Sequence, residues 1–361
     1  MLSYRKLAMR VLGRPLHTGG NDSPRPASQR AAAFILTAAM LTTLAAPAFA
    51  DTWCIENGNI TVKAGDTEGT NKVSQGSIID REDTNTIITN SDKDTASSNT
   101  VTIDAGNDKV EVTLDNVNIK AGSGSALTSK GDVTLTLKGD NHLTGGISDT
   151  GNYGRNGIAS TGSLTISGGS TVTANGGNGG NVSGDGISSN GSVTISGGTV
   201  KAAGGDSKDG YGGDGIRSDG GVTISGNTVN AAGGSGGKVG GYGICSFDRV
   251  AISGGTVTAN GGDGSSGGDG IRSGDIDLSG SLELTAKAGS PNGKALSQRG
   301  NELDLDDIKD KLGPGAKVTP PTLMARPSRS PSPALWSRKS LLPLLTAALP
   351  PRPHPPLPSP A

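Results

Sequence analysis

From Asn156 to Gly293 the chain carries two superposed apolar rhythms. The short one is alternation: in Val193-Thr194-Ile195-Ser196 the period of two sends Val and Ile to one face and Thr and Ser to the other, the pattern of a half-buried strand. The long one is a repeat. Asn156-Gly157-Ile158, Asp185-Gly186-Ile187, Asp214-Gly215-Ile216, Tyr242-Gly243-Ile244 and Asp269-Gly270-Ile271 recur at intervals of 29, 29, 28 and 27 residues. Each is followed by a second apolar segment, Leu164-Thr165-Ile166-Ser167 and its counterparts at Val193, Val222 and Val250, degraded to Ile276-Asp277-Leu278-Ser279. A third comes at Thr171-Val172, Thr199-Val200, Thr228-Val229 and Thr256-Val257. Three short strands per repeat, separated by Gly-rich turns, predict an all-β fold: a right-handed parallel β-helix of about 27–29-residue coils.

Stacked coils align each Ile above its counterpart, so Ile158, Ile187, Ile216, Ile244 and Ile271 are expected inside. Upstream, the alternating runs Val110 to Ile119 and Val133 to Leu137 predict one or two earlier coils. The organisation that follows is a signal peptide over 1–50, an N-terminal cap over 51–85 and the β-helix over 86–300. A C-terminal cap over 301–317 and a Pro-rich tail over 318–361 complete it. Leu305, Ile308 and Leu312 at helical spacing permit a short capping helix.

Composition sharpens this picture. Gly accounts for 60 of 361 residues without a Gly-X-Y period, which excludes collagen and disfavours a helical bundle. Of the 19 Pro, only Pro291 falls between Ala48 and Gly313, as continuous strand ladders require. Basic residues precede the apolar run Ala31 to Leu44, which ends in Ala48-Phe49-Ala50, so the chain is expected to be secreted, extracellular or cell-surface, with no membrane span after cleavage. The tail reads either as a disordered linker or as the product of a reading-frame change. A net charge of -1 gives no footprint for nucleic acid. The two cysteines, Cys54 and Cys245, are expected to be free or intermolecular thiols, one beside the cap and the other at an outward position several coils away.

With Ile, Val and Leu filling the interior, chemistry falls to the turns and outward strand positions. Asp185, Asp214 and Asp269 share one repeat position and Asp219 lies five residues beyond Asp214; oxygen donors without His or Cys suit calcium, although Asp-Gly is also ordinary turn chemistry. Arg217 and Arg272 follow the Ile of coils two apart, with Cys245 between them, and Tyr153 and Tyr211 stand five residues before theirs. Guanidinium groups suit carboxylates and Tyr rings suit sugar faces, so these four are candidate contacts for a glycan lying along the stack.

The run Val112 to Ile119, then Ser125-Ala126-Leu127, then the D-G-I-x-S and V-T-I-S-G-G-T-V repeats, resemble the secreted bacterial carbohydrate-binding β-helix family known for calcium-dependent binding of polygalacturonate. The resemblance covers about residues 85 to 300. It implies a pectate-lyase-like fold, calcium held by acidic loop residues at the Asp185, Asp214 and Asp269 positions, and binding of an acidic polysaccharide such as pectin or polygalacturonate without established cleavage. Asn156 and Tyr242 depart from the repeated Asp. A structural adhesin, a polysaccharide lyase or hydrolase and an ice-binding face of outward Thr are the competing readings.

Overall fold

The computed structural model describes residues 51–319 except Leu305 and Asp307. The signal-peptide reading of residues 1–50 and, beyond Thr319, the reading of the tail lie outside the described residues. The chain is a parallel β-solenoid with three strands per coil, as in Ile187–Ser189, Val193–Ile195 and Thr199–Ala203. The first and second strands of successive coils build one long sheet and the third strands build another. Register is set by the repeat: Ile158 pairs with Ile187, Ile187 with Ile216, Ile216 with Ile244 and Ile244 with Ile271, all parallel. These five side chains are fully buried, as the alternation predicts. Second-strand Ile166, Ile195, Ile224 and Ile252 and third-strand Val172, Val200, Val229 and Val257 form further ladders within the same core.

Both ends reach further than the sequence pattern shows. Ile60 already pairs in parallel with Val101, and Trp53 with Ile88, so the stretch read as an N-terminal cap contributes strands to a coil. What closes that end is Trp53, buried, whose indole N–H donates to Asp83 Oδ2 at 2.8 Å, together with the antiparallel strands Asn71–Gln75 and Ile78–Asp83. At the other end Leu296 pairs with Ile271, Ile308 is buried, and the strand Lys317–Thr319 adds to the third-strand sheet. In place of the capping α-helix the described residues show a 3-10 turn, Lys309–Lys311; Leu305 is outside the described residues.

A second inward ladder is polar. Two residues after Leu127, Ile158, Ile187, Ile216, Ile244 and Ile271 stands a serine, Ser129, Ser160, Ser189, Ser218, Ser246 and Ser273, each no more than 4% exposed. From Ser189 onward their hydroxyls satisfy carbonyls of the preceding coil's turn between first and second strands: Ser189 donates to Gly162 O at 2.7 Å, Ser218 to Gly191 O at 2.7 Å, Ser246 to Gly220 O at 2.6 Å and Ser273 to Asp248 O at 3.3 Å. The ladder thus ties each turn to the coil beneath it. Ser218→Ala should cost about 1 kcal/mol in chemical denaturation, because Gly191 O then keeps only the 3.2 Å bond from Gly220 N–H; an unchanged midpoint would show that water takes the place of the hydroxyl.

Candidate functional site

The Gly-rich segments between third and first strands were read as surface turns; they are instead ordered and stacked. Each coil brings two glycines together at the neck of its loop, and their peptides bond in a staircase along the stack. Gly205 N–H donates to Gly184 O, Gly213 to Gly205, Gly234 to Gly213 and Gly241 to Gly234, all at 2.8–2.9 Å. This rigid neck fixes the loop columns and the segment entering each first strand, which is where the candidate residues sit.

The repeated acids are absorbed into the same scaffold. Asn156 Oδ1 accepts from the backbone N–H of Asp185 at 2.8 Å, Asp185 Oδ1 from that of Asp214 at 2.7 Å, Asp214 Oδ1 from that of Tyr242 at 2.7 Å, and Asp269 Oδ1 from that of Lys294 at 2.8 Å. A parallel column, Asn178, Asp206 and Asp263, caps the N–H groups of Asp206, Ser235 and Ser290 in the same way. The other oxygens of Asp214 and Asp269 face Arg217 and Arg272, at 3.4 and 3.7 Å. Asp219 stands in a different, half-buried position. Calcium takes six to eight oxygens at one point. Here the acids are distributed one per coil and engaged with backbone, and among the described residues no group of three or more His, Cys, Asp or Glu gathers. The donor set does not fit a calcium centre.

Burial gives one of these acids an unusual character. Burial foremost, and then the neighbouring Asp214 carboxylate, push Asp185 up to about 6, against the opposing pull of Arg217. Burial alone would weaken the charge of Arg217, but Asp214 and Asp185 outweigh it and hold its pKa above the ordinary value.

The two arginines occupy the predicted column, Ser188, Arg217, Cys245, Arg272, Ser297. They are not equivalent. Arg217 is only 12% exposed, held by Asp214 and lying under the ring of Phe247, 4.9 Å from its centroid. Its guanidinium is a support and not a free ligand contact. Arg272 is 42% exposed, 5.1 Å from the Tyr242 ring centroid, and donates to the Tyr242 hydroxyl at 2.9 Å. Between them Cys245, expected to face outward, is buried, at 3% exposure. Neither Cys54 nor Cys245 forms a disulfide among the described residues.

Tyr153 and Tyr211 stand in one loop column, Tyr153, Val182, Tyr211, Val239, joined by parallel bridges. Lys238 lies 5.9 Å from the Tyr211 ring centroid. Of the five aromatic side chains in the described residues only Trp53 belongs to the core; Phe247 is 59% exposed, Tyr153 is 36% exposed, and Tyr211 and Tyr242 are partly exposed. Phe247 and Tyr242 were missed by the sequence reading. Both interrupt a repeat position, Tyr242 where the other coils carry Asp or Asn, and that break in the pattern was the available signal.

No family model, curated protein or solved structure matches this chain.

Proposed function

We propose that this is a secreted, noncatalytic polysaccharide-binding solenoid whose ligand, an acidic glycan such as polygalacturonate or pectin, is met by aromatic and cationic side chains between the stacked loops and the first strands. The observation that carries this reading is the display of Tyr153, Tyr211, Tyr242 and Phe247 outside the core in a chain with so few aromatic residues, three of their rings with a cation above them. An exposed ring contributes nothing to core packing, whereas its flat face suits a sugar ring. Arg272 supplies a charge-assisted donor for a carboxylate. Arg217 acts indirectly, by supporting Phe247. Calcium has no part in this reading, because the acids are engaged elsewhere.

The repeat argues against catalysis: similar groups recur from coil to coil, where hydrolysis or elimination asks for one specialised cluster. Among the described residues no helix is long and apolar enough to cross a membrane.

Affinity electrophoresis of the full chain in polygalacturonate gels tests the reading. Phe247→Ala combined with Arg272→Ala should weaken retardation by about tenfold or more, from two contacts worth on the order of 1 kcal/mol each, with the circular-dichroism spectrum unchanged. Raised salt should weaken it further. A double variant that binds like the parent, or a parent that is not retarded, leaves the stiff structural adhesin as the better reading.

A further inference from the structure

The outward face of the third-strand sheet holds a depression that none of the candidate residues touches. Its place follows from register. Residues Asn175, Ala203, Ala232 and Asn260 form one outward column on successive coils, and Lys201 and Asn230 stand in the neighbouring column beside the two alanines. Where the flanking coils carry Asn, these two coils carry only a methyl group. The surface therefore dips over two coils, between amides about 14 Å apart at three coil steps of about 4.8 Å.

The polar groups around this dip are uncommitted, which sets them apart from the Asp and Asn of the loop columns. Asp and Asn of the loop columns are engaged with backbone N–H groups of the next coil. Around the depression, by contrast, Asn175, Asn230 and Lys201 make no side-chain hydrogen bond or ion pair among the described residues. The Oδ1 of Asn260 is buried with no hydrogen-bond partner.

We infer that this depression is a binding seat for a short anionic oligosaccharide. The alanine methyls provide an apolar floor for a ring face, the three amides supply donors and acceptors for hydroxyls, and Lys201 pairs with the anionic substituent. Other ligands fit less well. No carboxylate lines the site for a metal, a single cation is too few for a nucleic-acid backbone, and the third strands are already paired on both sides, which leaves no edge for a peptide strand. The inference rests on the polysaccharide reading for the class of ligand, but on separate residues.

Amine-directed labelling of the full chain, read by mass spectrometry, tests it with oligogalacturonate and a neutral cello-oligosaccharide of equal length. Oligogalacturonate should protect Lys201 severalfold and the neutral oligomer should leave its labelling unchanged. Ala232→Leu fills the floor from the solvent side and should abolish the protection while the melting curve stays the same. Should that variant fail to fold, Lys201→Gln provides the second readout, a loss of oligogalacturonate affinity of about tenfold. Phe247→Ala with Arg272→Ala should retain the protection of Lys201. Unprotected Lys201, equal protection by the neutral oligomer, or protection that survives in folded Ala232→Leu overturns the seat. If polymer retardation persists while Lys201 stays unprotected, this inference alone fails; if retardation is lost while Lys201 is protected, the aromatic–cation reading alone fails.

Discussion

Gly213→Ala should destabilise the solenoid by about 3 kcal/mol or more, a large effect for the addition of one methyl group. Gly213 needs no left-handed backbone. Its constraint is close approach: a Cβ there would fall inside the van der Waals surface of the Gly184 carbonyl, and near the backbone of Gly205 as well. Both neighbours are main chain in the hydrogen-bonded staircase, with Gly213 N–H on Gly205 O and Gly234 N–H on Gly213 O at 2.9 Å. Neither can turn aside by changing a rotamer, so the neck must open or the coils must separate. Gly122 is the matched control, since a Cβ there meets nothing within 4 Å and its φ is ordinary. Gly122→Ala should change stability by no more than about 0.5 kcal/mol. Guanidinium denaturation of both variants decides the point, and equal midpoints would show that the glycines are turn residues and nothing more.

Asp185→Asn should have the opposite sign and stabilise the protein at neutral pH by on the order of 2–3 kcal/mol, a shift from 3.8 to about 6 being converted at about 1.4 kcal/mol per unit. The hydrogen bond survives the exchange. Asn156 occupies the same position one coil earlier, and its Oδ1 accepts from Asp185 N–H as Asp185 Oδ1 accepts from Asp214 N–H. What is removed is a charge buried beside Asp214. The pH dependence follows from linkage: with the folded pKa raised above 3.8, the folded chain retains a proton through the window from about 4 to about 6 that the unfolded chain has released. This group's contribution is therefore fully present below about pH 4 and is lost as pH rises to about 6. The difference between variant and parent should be near zero at pH 3.5 and grow to its full value above pH 6.5. Melting curves across that range check it, and a difference independent of pH would show that Asp185 is not protonated in the folded chain at the acid end.

These two positions show what a linear reading can and cannot reach. Asp185 was legible as a repeated acid, and acids repeated without His or Cys read naturally as calcium donors. The alternative was invisible, because the partner that consumes its oxygen is the backbone N–H of a residue 29 positions later. Arg217 and Arg272 were legible as a pair two coils apart, and their column is the one observed. Their difference in availability was not, since each is faced by an Asp and an aromatic ring and only the packing of the neighbouring coils leaves Arg217 12% and Arg272 42% exposed. The seat around Ala203 and Ala232 was missed for a related reason. Alanine in a strand carries no chemical signal, and a depression exists only relative to the Asn side chains on the flanking coils.

The sequence by itself determined the solenoid. Alternation fixes which face of each strand is buried, and because a slip of one residue would turn every apolar side chain to solvent, the repeat of about 28 residues leaves one stacking register that buries Ile158, Ile187, Ile216, Ile244 and Ile271 together. Only the tertiary structure decided which polar groups are left for a ligand. Coils stack by satisfying one another's peptides, so an Asp, Ser or Gly is engaged or idle according to the atoms one coil away. That neighbour lies roughly a full repeat distant along the chain, where no local pattern of residues records it.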